Sequence, residues 1–244
     1  MKRHFPAAIA VALLALHSGF APTHLAGAAP TKRFFVVLID ETASFARFWD
    51  KSLDFAAAVV QRMKADDAFM LIGIDGRSGD PEDVRIPMQE MDPNPIKAIA
   101  RRRQIIAQVR ATKVRAVNPK DPNAKYSDIL GAVAMAASAA GRHKEYRPVV
   151  LIFSDMVQTP RLPDAQETRR LGIAFPSGAE AHVYFVNAAE LADNRKIRMD
   201  EAQRELMQAW LGAFGAAKIK ISQDDFVPEG DAQKSFNQLL PVSY

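Results

Sequence analysis

Asp40, Thr42 and Ser44 stand at alternate positions directly after the apolar run Phe34–Ile39. Two more residues of the same chemistry lie far along the chain. Ser127 precedes Asp128-Ile129-Leu130 and an Ala-rich stretch, and Asp155 follows Pro148-Val149-Val150-Leu151-Ile152-Phe153-Ser154. Brought together, the five offer two carboxylates and three hydroxyls, all oxygen. Hard divalent cations take oxygen ligands, and Mg2+ prefers an octahedral shell that keeps some water. Two carboxylates neutralise the formal charge of such an ion. Neutral hydroxyls complete the shell without weakening the ion's pull on an outside anion. An open position then accepts a carboxylate from elsewhere.

The elements around these residues decide whether they meet. Phe34–Ile39 is unbroken and rich in β-branched and aromatic types, as in a strand buried on both faces. Phe45, Phe48, Trp49, Leu53 and Phe55 begin an amphipathic helix that runs to Met63. Residues 68–74 read as a second buried strand and 75–81 as a turn. Val84, Ile86 and Met88 then alternate with other residues, predicting a half-buried edge strand antiparallel to the second. Pro87 suits an edge and not a central position. Asn94-Pro95 starts a helix that extends to about Lys113. A polar loop covers 117–126, and a helix beginning at Asp128 stops near Gly141. Strands follow at 148–153, 181–186 and 218–222. Helices are predicted after a capping box at Asp164 and Glu167, from Asn187 through Phe214, and over 231–240.

Strands alternating with helices predict an α/β fold, a doubly wound and mostly parallel six-stranded sheet with helices on both faces. The expected order is 3-2-1-4-5-6, with one antiparallel edge strand. Winding reverses between strands one and four, where ligands bind in such sheets. Strand three runs down, so strand four is parallel to strand one only if an even number of helices connects them. The sequence has two there. The second starts at the ligand edge, which carries Ser127 to Asp40, Thr42, Ser44 and Asp155.

With those residues in place, the chain resembles a von Willebrand factor type A domain over residues 33 to about 222. The family's metal-ion-dependent adhesion site reads D-x-S-x-S, then a distant T, then a distant D after strand four. Asp40, Thr42 and Ser44 match the first part, Ser127 the T and Asp155 the last D. The resemblance implies a metal site made of these five, with Mg2+ as the ion and Mn2+ or Ca2+ as alternatives. It also implies a protein-interaction module rather than an enzyme, one that binds an acidic residue of a protein partner. Met156 stands where relatives often have Gly, which restricts the backbone beside Asp155. Glu41 and Asp128 are extra carboxylates without a role in the pattern. Taken singly, Ser44, Ser127 and Asp155 read as helix caps. The joint match points to metal.

Two other functions are compatible with parts of the sequence. A phosphatase of the haloacid dehalogenase type also places a nucleophilic Asp after strand one, here Asp40. It needs a second Asp two residues on, where this chain has Thr42. No Lys is well placed for the developing phosphate charge. Alternatively, the fold serves as a metal-free scaffold. Residues 93–120 carry eight Lys or Arg and no acid, so helix 94–113 with Arg101, Arg102 and Arg103 offers a surface for an acidic partner. No aromatic residue interleaves, and nucleic acid is not expected. Asp75, Asp80, Glu82 and Asp83 do not match a calcium loop in spacing.

Residues 1–28 read as a signal peptide: Lys2 and Arg3, an apolar run at 7–16, and small residues at Ala26-Gly27-Ala28. The remaining 29–244 are then one domain, and the formal charge of +4 loses Lys2 and Arg3 to become +2. Only His143 and His182 remain of five histidines, and there is no cysteine. A His-based centre, disulfides and thiolate metal sites are therefore not expected. Export without disulfides points to a periplasmic or secreted protein. No apolar run reaches membrane-spanning length.

Overall fold

A computed structural model describes residues 32–42, 45–76, 78–112, 126–156 and 173–184, and the backbone of 218–222. The expected leader 1–28, Ser44, the loop from 113 to 125 and the helices expected beyond 157 lie outside the described residues. Strand β1 (Arg33–Asp40) is buried at every position. Helix α1 (Trp49–Arg62) follows it, preceded by a 3-10 turn at Ala46–Phe48. Strands β2 (Ala68–Ile74) and β3 (Val84–Glu90) come next, then helices α2 (Pro95–Ala111) and α3 (Ile129–Arg142). Strands β4 (Arg147–Phe153), β5 (Glu180–Tyr184) and β6 (Lys218–Ser222) complete the sheet.

The sheet order is β3-β2-β1-β4-β5, with β6 hydrogen-bonded parallel to β5. Among the described residues only the β2–β3 pair is antiparallel. β1 lies between β2 and β4, with Ile39 abreast of Gly73 and Phe153. Alternation then divides its side chains between two cores. Phe34, Val36 and Leu38 pack with the Ala-rich face of α3, whose small residues let the helix lie close to the sheet. Phe35, Val37 and Ile39 pack with α1 and with Ile105 and Val109 of α2. Each large apolar side chain buried this fully contributes about 1.5–3 kcal/mol. The result is a three-layer sandwich in which α2 and α3 cover opposite faces.

Two local expectations change. Val84, Ile86 and Met88 do not share a face. Ile86 packs into the α1–α2 core, while Val84 and Met88 pack on the α3 side. The register slips on both sides of Leu71↔Ile86, each slip adding a residue to β3, and a one-residue slip turns a side chain over. Helix α2 starts as expected, with Asn94 Oδ1 accepting from Ile96 N at 2.9 Å, but ends at Ala111.

The N-terminus of α3 is seated on the turn after β2. Asp128 N donates to Asp75 O at 2.7 Å, and Ser78 Oγ holds that turn through Asp75 N and O. Gly131 allows the seating, because a Cβ there would collide with the backbone carbonyl of Ser78. A backbone atom cannot swing aside as a side chain can. Gly131→Ala is expected to destabilise by about 1–3 kcal/mol, the usual cost of overpacking. Urea denaturation checks this, and an unchanged midpoint would place α3 away from the turn.

Candidate metal centre

The C-terminal edge of β1 and β4 gathers most of the oxygen-bearing residues. Thr42 reaches back over the end of β1, donating from N at 2.9 Å and from Oγ1 at 2.6 Å to Asp40 Oδ1. Ser127 arrives at the head of α3. Its Oγ lies 3.2 Å from Asp40 Oδ2 and 3.4 Å from Thr42 Oγ1. Asp40, Thr42 and Ser127 are thus one cluster, although 87 positions separate Asp40 from Ser127. Asp155 is buried beyond the end of β4. Ser44 lies outside the described residues.

Ser154 was missed by the sequence reading. It is wholly buried, and its Oγ donates to Asp40 Oδ2 at 2.8 Å. The same oxygen accepts from Met156 N at 2.9 Å, so Ser154 links Asp40 to the turn carrying Asp155. A signal existed: with Ile39 abreast of Phe153, the next residue of β4 falls beside Asp40.

The helix-cap reading of Ser127 is corrected. The cap of α3 is Asp128, whose Oδ1 accepts from Gly131 N at 3.0 Å, which leaves the Ser127 hydroxyl to face Asp40. Glu41 also gains a role. It is buried against Arg85 on β3, with Arg85 Nε donating to its Oε1 at 2.6 Å.

Asp40 has no exposed surface, and burial pushes its carboxyl above the ordinary range. Hydrogen bonds from Thr42, Ser154 and Ser127 oppose that push without cancelling it. Among the described residues no Lys, Arg or His is ion-paired with Asp40. A buried carboxylate with hydroxyl neighbours and no organic counter-ion suits a hard divalent cation. The residues therefore fit the ion. No group of three or more His, Cys, Asp or Glu stands ready for a metal among the described residues. An ion held here would have to rely on hydroxyls as well as carboxylates.

The strand order is the one that the resemblance to a von Willebrand factor type A domain implies, a doubly wound sheet with β1 beside β4. Asp40, Thr42 and Ser127 lie together at the end of β1. No family model matches the chain, and no curated protein does. Solved structures that resemble it include a von Willebrand factor type A protein from Catenulispora acidiphila, at 13% identity and a TM-score of 0.49, covering 85% of this chain and 41% of that one. Proximal thread matrix protein 1 from the mussel byssus gives 11% and 0.44, covering 79% and 44%. An aerotolerance-related membrane protein from Bacteroides fragilis gives 10% and 0.44, covering 85% and 96%. The mussel protein is also described with a zinc-occupied MIDAS motif. The chain spans less than half the length of the Catenulispora and mussel proteins.

The basic helix divides. Arg101 Nη2 donates to Gln89 Oε1 at 2.6 Å, and Arg102 Nε donates to Met63 O at 2.8 Å. Both tie α2 to its neighbours. Arg103 is exposed.

Met156 does not avoid the backbone conformation that Gly favours. It adopts φ 60° and buries its side chain among the α3-side core. Left-handed φ costs a non-Gly residue roughly 1–2 kcal/mol. Met156→Ala loses the packing and keeps the strain, whereas Met156→Gly loses the packing and relieves it. Both variants should be less stable than the parent, with the Gly variant the more stable of the two by about 1 kcal/mol. Thermal or urea unfolding ranks them, and the opposite order would contradict the left-handed turn.

Proposed function

We propose that this protein is an interaction module that binds a carboxylate of a protein partner through a divalent cation held at Asp40, Thr42, Ser44, Ser127 and Asp155. The observation that carries the reading is the Asp40 carboxylate, fully buried, surrounded by hydroxyl donors and unmatched by a cationic side chain among the described residues. Asp40 and Asp155 would supply charge, and the hydroxyls would complete the shell. The bound ion supplies electrostatic attraction for an anionic group. Mg2+ is the proposed ion because the donors are hard oxygens and few are charged.

The phosphatase alternative gains no support from the geometry. Thr42 occupies the position that a general acid would need, and its hydroxyl is bonded to Asp40. Both Asp40 oxygens accept hydrogen bonds inside the fold, an arrangement that fits a ligand or its support better than an attacking nucleophile. Among the described residues no helix is long and apolar enough to cross a membrane. The proposal places the protein outside the cytoplasm on the strength of residues 1–28 alone.

Asp155 gives the sharpest test. Asp155→Asn is close to isosteric, and Asn caps a helix about as well as Asp. A cap would therefore tolerate the change, whereas a metal site would lose one of two charges. The parent is expected to melt higher in millimolar Mg2+ than in EDTA, since a ligand at about 100 times its Kd adds about 2.7 kcal/mol. The variant should keep its melting temperature in EDTA and lose the response to Mg2+. Equal responses in both proteins would remove Asp155 from the site.

A further inference from the structure

Glu41 sits between Asp40 and Thr42 in the chain but faces away from them. Its carboxylate takes Arg85 Nε at 2.6 Å and Arg85 Nη2 as a two-pronged pair. The two side chains are 1% and 9% exposed. Arg85 stands on edge strand β3, and its remaining arm, Nη1, donates to Glu82 O at 2.6 Å. The pair crosses β2 at Gly73. A Cβ on Gly73 would collide with the Glu41 carboxylate and stand 3.0 Å from Arg85 Nη2. The backbone is fastened at the same point, where Glu41 N donates to Ile74 O at 2.8 Å.

We infer that Glu41 and Arg85 are positioning residues for the oxygen cluster, fixing the turn of the backbone that presents Asp40 and Thr42 to Ser127. This rests on the metal-site reading for its purpose, though not for its geometry. A buried ion pair is a poor device for stability alone, because desolvation offsets its attraction and apolar replacements are often equally stable. A two-pronged guanidinium–carboxylate contact instead fixes direction, since both groups are planar and the fork allows little rotation. Here the fork grips the one side chain between two members of the cluster. Pulling Glu41 toward β3 holds Asp40 and Thr42 turned the other way, where Thr42 N and Oγ1 both meet Asp40 Oδ1. Lys at position 85 would keep the charge and lose the fork.

The test uses the full chain and two variants, Glu41→Met with Arg85→Met together, and Arg85→Lys alone. Amide hydrogen exchange is followed by NMR in metal-free protein at Thr42, whose N–H closes onto Asp40, and at Val37 in the middle of β1. Mn2+ affinity is measured by calorimetry on the same samples. In both variants Thr42 exchange should accelerate at least about tenfold while Val37 is unchanged, because only the local turn is released. Mn2+ affinity should fall about 10–100-fold, as when other groups that orient metal ligands are removed. Should the double variant fail to fold, Arg85→Lys decides by itself. Exchange at Thr42 that moves only in step with Val37 would make the pair a plain fold contact and overturn the inference, as would an affinity unchanged from that of a parent that does bind Mn2+. If the parent binds no Mn2+ while Thr42 alone accelerates in the variants, the positioning role stands and the metal reading falls.

Discussion

At the end of the central strand the chain buries a carboxylate. Moving such a charge out of water costs about several kcal/mol even after the surroundings relax. The fold meets that cost in part, with hydrogen bonds from Thr42, Ser127 and Ser154 onto the two oxygens of Asp40. They leave the carboxyl above its ordinary range, so the charged form is still under-compensated. The proposed divalent cation would supply the compensation that is missing. The three donors come from three different segments, and each is placed by an element whose position the sheet dictates.

Strand order sets that convergence. β1 is flanked by β2 and β4, so the ends of all three parallel strands lie at one edge. The antiparallel β3 sends the chain back down, and α2 and α3 return it on opposite faces. α3 begins at the ligand edge, held there by Asp128 on Asp75 and by the close approach at Gly131. Ser127 is thereby delivered to Asp40 across 87 positions of sequence. At the other end of β1, Asp67 receives Arg33 from both backbone and side chain, pinning the start of the strand. The central strand is therefore held by charged contacts at both ends and by two apolar cores between.

Much of this was legible in the sequence, because it depended on local pattern. The apolar runs located β1, β2 and β4, and the Asn94 cap located α2. The parity of helices between β3 and β4 brought Ser127 to the site without reference to its hydroxyl. Contacts set by register or by long reach were not legible. Glu41 and Arg85 are 44 positions apart and Arg33 and Asp67 are 34 apart, and nothing local marks either pair. Ile86 changed faces because two register slips surround it. Asp128 displaced Ser127 as the helix cap, a choice between neighbouring residues of similar capping strength. Met156 took a left-handed turn where side-chain burial offsets strain that composition alone would have argued against.

Whether a cation sits among these oxygens decides between an ion-dependent site and a purely structural cluster. Crystals of the protein grown with Mn2+ and measured for anomalous scattering would place the ion directly. The expected result is one strong peak at the C-terminal edge of β1 and β4, among the oxygens of Asp40, Thr42, Ser44, Ser127 and Asp155. A well-ordered edge without a peak, or a peak confined to some other surface, would contradict the account.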